Sequence, residues 1–345
     1  MGHEIDLEKY NIRTDLAIEA IANMKTKTGI KSHVEEEEDI TITTVYLDKE
    51  GSKKTGKPVG SYITIEFEDV TDYENQEKVK KIFSLQLQKL IKHLKIKPDD
   101  LVLIVGLGNE KSTPDSLGPL VINNVLVTNH LYMLGNLETG FRRVCALKPG
   151  VMGTTGIETS DLITSTVKEL KPGLLIVIDA LASQSVERLN KTIQMTDSGI
   201  HPGSGIGNHR KKISKEIVGV PVVAIGIPTV VDAVTIVSDT FNYMLRHFTY
   251  SKHNMNNPLN KLIPMGSINY LKKDYKIEKQ DKEKLLGMIG GLNENEIKQL
   301  IFEVLTPIGY NLMVTPKEVD FLIKKLSEII GNGINLALHE NVTNV

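Results

Sequence analysis

The chain has 345 residues, 40% of them hydrophobic, and a formal net charge of −2. That length buries a sizeable core in one large domain or two small ones, and the near-neutral balance argues against a dedicated nucleic-acid binder, which carries a basic excess. No apolar run reaches the ~20 residues of a membrane span, no basic start with an apolar stretch marks a signal peptide, and the single Cys145 excludes internal disulfides and suits a reducing cytoplasm.

Residues 1–39 read as a separate arm. Ile5–Glu19 mixes charges with isolated apolar residues, Ala17–Lys25 has the pattern of a helix, and Glu35–Glu38 is a run of acids. Such a segment is either a solvated tail or a piece that is removed or covers something. Asp15-Leu16-Ala17 sets an acidic, an apolar and a small residue together near the chain end, where cutting is easiest. Ile40–Leu47 alternates and is β-branched, which predicts a strand. Asp48–Lys57 is a charged turn and Val59–Glu68 the returning strand, so the pair predicts a hairpin with a basic tip. Tyr73–Leu94 carries apolar residues at helical spacing.

Leu101–Val105 is a short apolar run that exits through Gly106-Leu107-Gly108 into Thr113-Pro114-Asp115. It predicts a buried parallel strand with a tight turn at its carboxyl end, the edge where ligands gather in open α/β sheets. The glycines do not complete a dinucleotide fingerprint, because Lys111 stands where the third Gly belongs. Leu117–Met133 predicts a helix and Phe141–Leu147 a strand. The loop Pro149–Gly156 precedes a helical Ile157–Leu170; it lacks the Gly-Lys-Ser/Thr of a phosphate loop. Amides around Gly150, Gly153, Thr154, Thr155 and Gly156 offer a seat for an anion or oxyanion.

Leu174–Ile178 is a second buried strand that ends on Asp179. Two Asp at the carboxyl ends of neighbouring parallel strands, ~5 Å apart, can share one site. Like charges that close push one pKa up, which leaves one acid and one base to activate water against a peptide or ester bond. The alternative is that each Asp caps a following helix. Arg188–Met195 predicts a strand, and Thr196–Lys212 is a long polar loop with Asp197, His201 and His209. Those histidines read either as polar surface or as metal ligands alongside Asp115 or Asp179. Val220–Ile227 is a further buried strand and Val230–Tyr250 a helix, with Asp232 at its start as a structural cap. Asn254–Tyr275 is loop-like. Helices follow at Asp281–Met288, Asn293–Leu305 and Thr315–Ile330, the last two opening on Asn293/Glu296 and Thr315/Glu318 capping patterns. The order predicts an α/β fold: a mostly parallel central sheet with helices on both faces, an N-terminal β-hairpin and a C-terminal helical extension.

GLGNEKSTPDSLGP (106–119), KPGVMGTTGIET (148–159), VIDALASQSVERLNKTIQMTDSGIHPGSGIGNHRK (177–211) and GVPVVAIGIPTVVDA (219–233) together resemble the germination proteases of spore-forming bacteria. NIRTDLAIEA (11–20) is similar to that family's pro-segment junction, and the likeness runs from Ile5 to about Ile330. The resemblance implies an atypical aspartic-type endopeptidase, with a fold like that of hydrogenase-maturation endopeptidases. Such an enzyme degrades small acid-soluble spore proteins in the spore core. It is made in the forespore cytoplasm as a homotetrameric zymogen that trims itself as the core acidifies. It implies Asp115 and Asp179 as the essential pair, a pro-segment 1–15 cut between Asp15 and Leu16, and one peptidase domain over 16–345. That domain has its α/β core at about 75–250 and a helical extension at about 281–335. Neither a metal nor another cofactor is expected, and neither nucleic acid nor membrane is a partner. Two other readings stand beside it. One is metal-assisted hydrolysis of the hydrogenase-maturation type through His201 and His209. The other is a scaffold that binds spore proteins without cutting them.

Overall fold

The computed structural model describes residues 14–22, 28–202, 211–256, 270, 277–305 and 312–342. The chain divides into two units. The larger comprises Arg13–Val230 and Thr315–Val345, and the smaller includes Val231–Val314.

The larger unit opens with a short helix, α1 (Ala17–Ala22), and then a strand within the segment expected to be a separate arm, β1 (Ile30–Glu37). β1 pairs antiparallel with β2 (Ile40–Leu47) through a two-residue turn, with Glu38 and Asp39 both at positive φ, the geometry of a tight hairpin. All of β1 beyond Ile30 is exposed, so the strand has no buried face to leave an alternating signature. Its acids charge an edge that is otherwise open to further pairing. The expected turn after β2 is a helix, α2 (Lys49–Thr55). Asp48 caps its start by accepting from the Glu50 and Gly51 amides, and Gly56 closes it in the left-handed region. β3 (Gly60–Glu66) and α3 (Tyr73–His93) follow, the latter capped by Asp72.

β4 (Val102–Gly106) leads through a 3-10 turn at Thr113–Asp115 into α4 (Leu117–Asn123). The long helix expected over 117–133 is broken, and α5 (Asn129–Met133) is separate. The break has outside partners: the Leu126 amide donates to Asn335 Oδ1, and the Thr128 amide to the Val144 carbonyl. β5 (Val144–Leu147), α6 (Met152–Thr155) and α7 (Thr159–Leu170) come next. β6 runs from Leu174 to Ser183, five residues past the expected Ile178. β7 (Thr192–Thr196), α8 (Lys215–Val218) and β8 (Val222–Asp232) complete this half.

The strand order is β1-β2-β3-β7-β8-β6-β4-β5. β5, β4 and β6 are parallel neighbours. β8 starts beside β6, where the Leu175 amide donates to the Pro221 carbonyl. From β8 outward through β7, β3, β2 and β1 every pairing is antiparallel. The α/β class and the helices on both faces match the expectation. The sheet itself is mixed, because the N-terminal hairpin adds to its edge through β7 rather than standing apart. Alternation along β4 and β6 sorts the core. Val102, Ile104, Leu174, Ile176 and Ile178 face one way, toward Phe83, Leu87 and Leu117. Leu103, Val105, Leu175 and Val177 face the other, toward Ile163 and Val167 of α7. Each such side chain, buried, stabilises the fold by roughly 1.5–3 kcal/mol.

In the smaller unit, α9 (Ala233–His253) is capped by Asp232, whose carboxylate accepts from the Val234 amide at 2.7 Å. Burial pushes the Asp232 carboxyl up, against that hydrogen bond. α10 (Lys279–Leu286) precedes α11 (Glu294–Leu305), which shows the expected capping box. The Asn293 amide donates to Glu296 and the Glu296 amide to Asn293. β9 (Met313–Val314) pairs with Val231 and Asp232. α12 (Val319–Leu338) belongs to the larger unit and packs against α3 and α4. It begins four residues later than Thr315, whose hydroxyl donates to the Thr229 carbonyl instead of capping the helix.

Candidate active site

The first carboxylate is delivered by close backbone packing. A Cβ on Gly106 would sit 2.2 Å from the Gly118 carbonyl oxygen, and one on Gly108, at φ 110°, 2.0 Å from the Asp115 carbonyl oxygen. Only glycine lets the strand end fold back this tightly. Within the turn the Asn109 amide donates both to the Asp115 carbonyl (3.0 Å) and to its Oδ2 (2.9 Å). The Thr229 hydroxyl steadies the turn by donating to the Pro114 carbonyl at 2.6 Å. Asp115 is half-buried. Its carboxylate reaches back to Asn109, and the N-cap of α4 is Ser116.

Asp179 is 6% exposed and lies inside β6, not at its end; its Oδ1 accepts from the Ala180 amide at 2.9 Å. β4 ends opposite Ile178, and β8 is the other neighbour of β6 in the sheet. No helix follows Asp179 directly, so neither aspartate acts as the helix cap that the spacing left open. Gly106 is in register with Ile178, and the Leu107 amide donates to the Ile178 carbonyl at 2.8 Å. The turn that carries Asp115 therefore begins alongside Asp179, on one rim of the parallel strands.

β5 leaves the sheet on that same rim and leads into Pro149–Gly156. The amides of Thr154, Thr155 and Gly156 donate to the Val151 and Met152 carbonyls. Those three amides are thereby satisfied within the turn. Gly150 stands at φ 72° with its carbonyl accepting from the Thr159 hydroxyl. His201 is exposed just beyond the Ile200–Ile213 bridge. Desolvation, then the Lys212 and Lys57 charges, hold its pKa below the usual value. His209 lies outside the described residues. Among the described residues no three His, Cys, Asp or Glu side chains are grouped to hold a metal ion.

The junction singled out in the sequence, Asp15-Leu16, is seated on the continuation of β6. The Asp15 amide donates to the Ala182 carbonyl (3.1 Å), and the Ala182 amide to Asp15 Oδ2 (2.9 Å). Gln194 of β7 spans the junction: its Nε2 donates to the Asp15 carbonyl at 3.1 Å and its Oε1 accepts from the Ala17 amide at 2.6 Å. Leu16 is wholly buried. Glu19, 4% exposed, accepts from the Ser183 hydroxyl (2.7 Å), the Gln184 amide (2.8 Å), the Thr14 hydroxyl and Arg188 (3.3 Å). Arg188 also bridges to Glu66 at 3.0 Å. Lys57 donates to the Thr14 carbonyl; desolvation lowers its pKa against the pull of Asp15 and Glu19. Glu19, Gln194, Arg188 and Lys57 did not stand out in the sequence. The one local sign was an acid four residues past Asp15 in an otherwise apolar run.

A family model described as germination protease matches residues 7–345. The chain is similar to the germination protease of Bacillus velezensis, 48% identical over 359 residues, covering 99% of this chain and 97% of that one. It is likewise 48% identical to the germination protease of Bacillus subtilis over 356 residues, covering 99% of this chain and 96% of the other. The match spans both Asp115 and Asp179, as well as the seat of Asp15–Glu19, and the chain belongs to the germination protease family of peptidases.

Proposed function

We propose that this peptidase of spore germination cuts small acid-soluble spore proteins, with Asp115 and Asp179 as its catalytic pair. The observation that carries the reading is the shared rim. The Asp115 turn starts at the register partner of Ile178, and Asp179 is the next residue. In this mechanism a water lies between the two carboxyl groups. One takes its proton as the oxygen attacks the peptide carbonyl, and the other protonates the leaving amine. Amides near Gly150 and Gly153 face the developing oxyanion. The enzyme is made as a zymogen, and its own first cut falls between Asp15 and Leu16. The bonding of that junction to β6 supports this, since it brings Asp15 onto the strand that carries Asp179. The full-length likeness supports the remaining assignments: a homotetramer that works in the spore core on protein substrates.

The test is intact mass after incubation at mildly acid pH, for wild type, Asp115→Asn and Asp179→Asn. Loss of residues 1–15 in wild type alone is the expected result. Continued trimming in both variants would make the pair structural. Binding of a spore protein without any cutting would favour the scaffold reading instead.

A further inference from the structure

We propose that the cut after Asp15 creates an ion pair between the new Leu16 α-ammonium and Glu19, which anchors the N-terminus of the processed enzyme. The proposal rests on the cut position given above.

The Thr14 hydroxyl touches both groups. It accepts from the Leu16 amide at 3.0 Å and donates to Glu19 Oε2. Hydrolysis breaks the Asp15–Leu16 C–N bond. The water oxygen stays with the Asp15 carboxylate, and the Leu16 nitrogen becomes an ammonium. Departure of residues 1–15 takes the Thr14 hydroxyl away and leaves the two groups it bridged facing the space it held.

Both groups are pinned by the body of the enzyme. Ser183, the Gln184 amide and Arg188 keep hold of Glu19. On the other side, Gln194 keeps the Ala17 amide, and the Leu16 side chain stays in its buried seat. The charged groups around the new ammonium are Glu19, Arg188 and Lys57, with Glu66 behind Arg188. Lys57 loses the Thr14 carbonyl and the neighbouring Asp15 charge together; it is partly buried on a flexible stem, and its ammonium can turn into the space that residues 1–15 vacate. The Leu16 nitrogen cannot follow, because its own side chain is seated in the core, and Glu19 is the anion set across the space that Thr14 leaves. A hydroxyl-bridged contact thus becomes a direct charge pair, and the trimmed end stays docked beside β6.

Labelling of the new α-amine with a small acylating reagent near neutral pH tests this, read from the mass of the N-terminal peptide. In processed wild type that peptide should begin at Leu16. Its amine should label at least about tenfold more slowly than the same peptide free in solution, because a pKa raised by about one unit makes the neutral amine about tenfold scarcer. Glu19→Gln keeps the side-chain shape and should label at the free-peptide rate; a trace of wild-type enzyme cuts it if it does not cut itself. Wild-type labelling at the free-peptide rate overturns the ion pair, and so does equal protection in Glu19→Gln. A first residue other than Leu16 overturns the cut position, and the pair with it.

Discussion

Gln194 is the sharpest test of how the junction is held. Its side chain is 6% exposed and satisfies two backbone groups, the Asp15 carbonyl and the Ala17 amide. Gln194→Leu keeps most of the volume and leaves both groups without that partner in a dry seat. Each such group costs about 1–3 kcal/mol, so the docked arm loses about 2–6 kcal/mol relative to an arm in water. At about 1.4 kcal/mol per tenfold, the lower figure is a shift of about thirtyfold in the docked population. Native-state amide exchange reads it directly, in an Asp179→Asn background that the proposed mechanism leaves untrimmed. Amides of Ala17 and the following helical turn should exchange at least about thirtyfold faster, while those of β4 and β6 hold their protection. If Ala17 exchanges within about threefold of its parent rate, Gln194 is not what holds the junction.

Gly106→Ala forces a methyl to within 2.2 Å of the Gly118 carbonyl oxygen. Overpacking of this kind costs about 1–3 kcal/mol or more, and peptidase activity should fall further than urea stability because the Asp115 turn shifts. An unchanged turnover would show the turn to be indifferent to that contact. His339 is buried, with Nδ1 accepting from the Arg142 amide at 3.1 Å, and burial and the Arg142 charge hold its pKa below the ordinary value. The folded state therefore resists protonation while the unfolded chain takes a proton near pH ~6.5, so stability falls with decreasing pH from there, by up to about 1.4 kcal/mol per unit, until the folded His339 titrates. His339→Gln should flatten that part of a urea-stability profile; an unaltered slope would assign it elsewhere. Self-trimming should survive a strong chelator, because the proposed chemistry runs on two carboxyl groups. Loss of trimming, restored by added zinc, would favour the metal-assisted reading.

Local signals carried well where the partner lies close in the chain. Asp232 capping α9 and the Asn293–Glu296 box opening α11 are both satisfied within three residues. The short apolar runs of β4 and β6 are legible because buried parallel strands need no alternation. Thr315 carries the same kind of signal and fails, because the Thr229 carbonyl, 86 residues away in the chain, takes its hydroxyl. β1 is invisible for the opposite reason: an exposed edge strand places no demand on its side chains.

The sequence by itself determined the strands that lead to Asp115 and Asp179 and the glycines that let the Asp115 turn close. Those depend on run length, turn chemistry and short-range backbone fit. Only the tertiary structure decided that β6 runs past Asp179. It also decided that the arm docks on that continuation, and that Gln194, Glu19 and Arg188 form its seat. The partners there are 164 to 179 residues apart. No local pattern records a hydrogen bond across that separation, because each residue's type is compatible with many surroundings until the sheet brings them together.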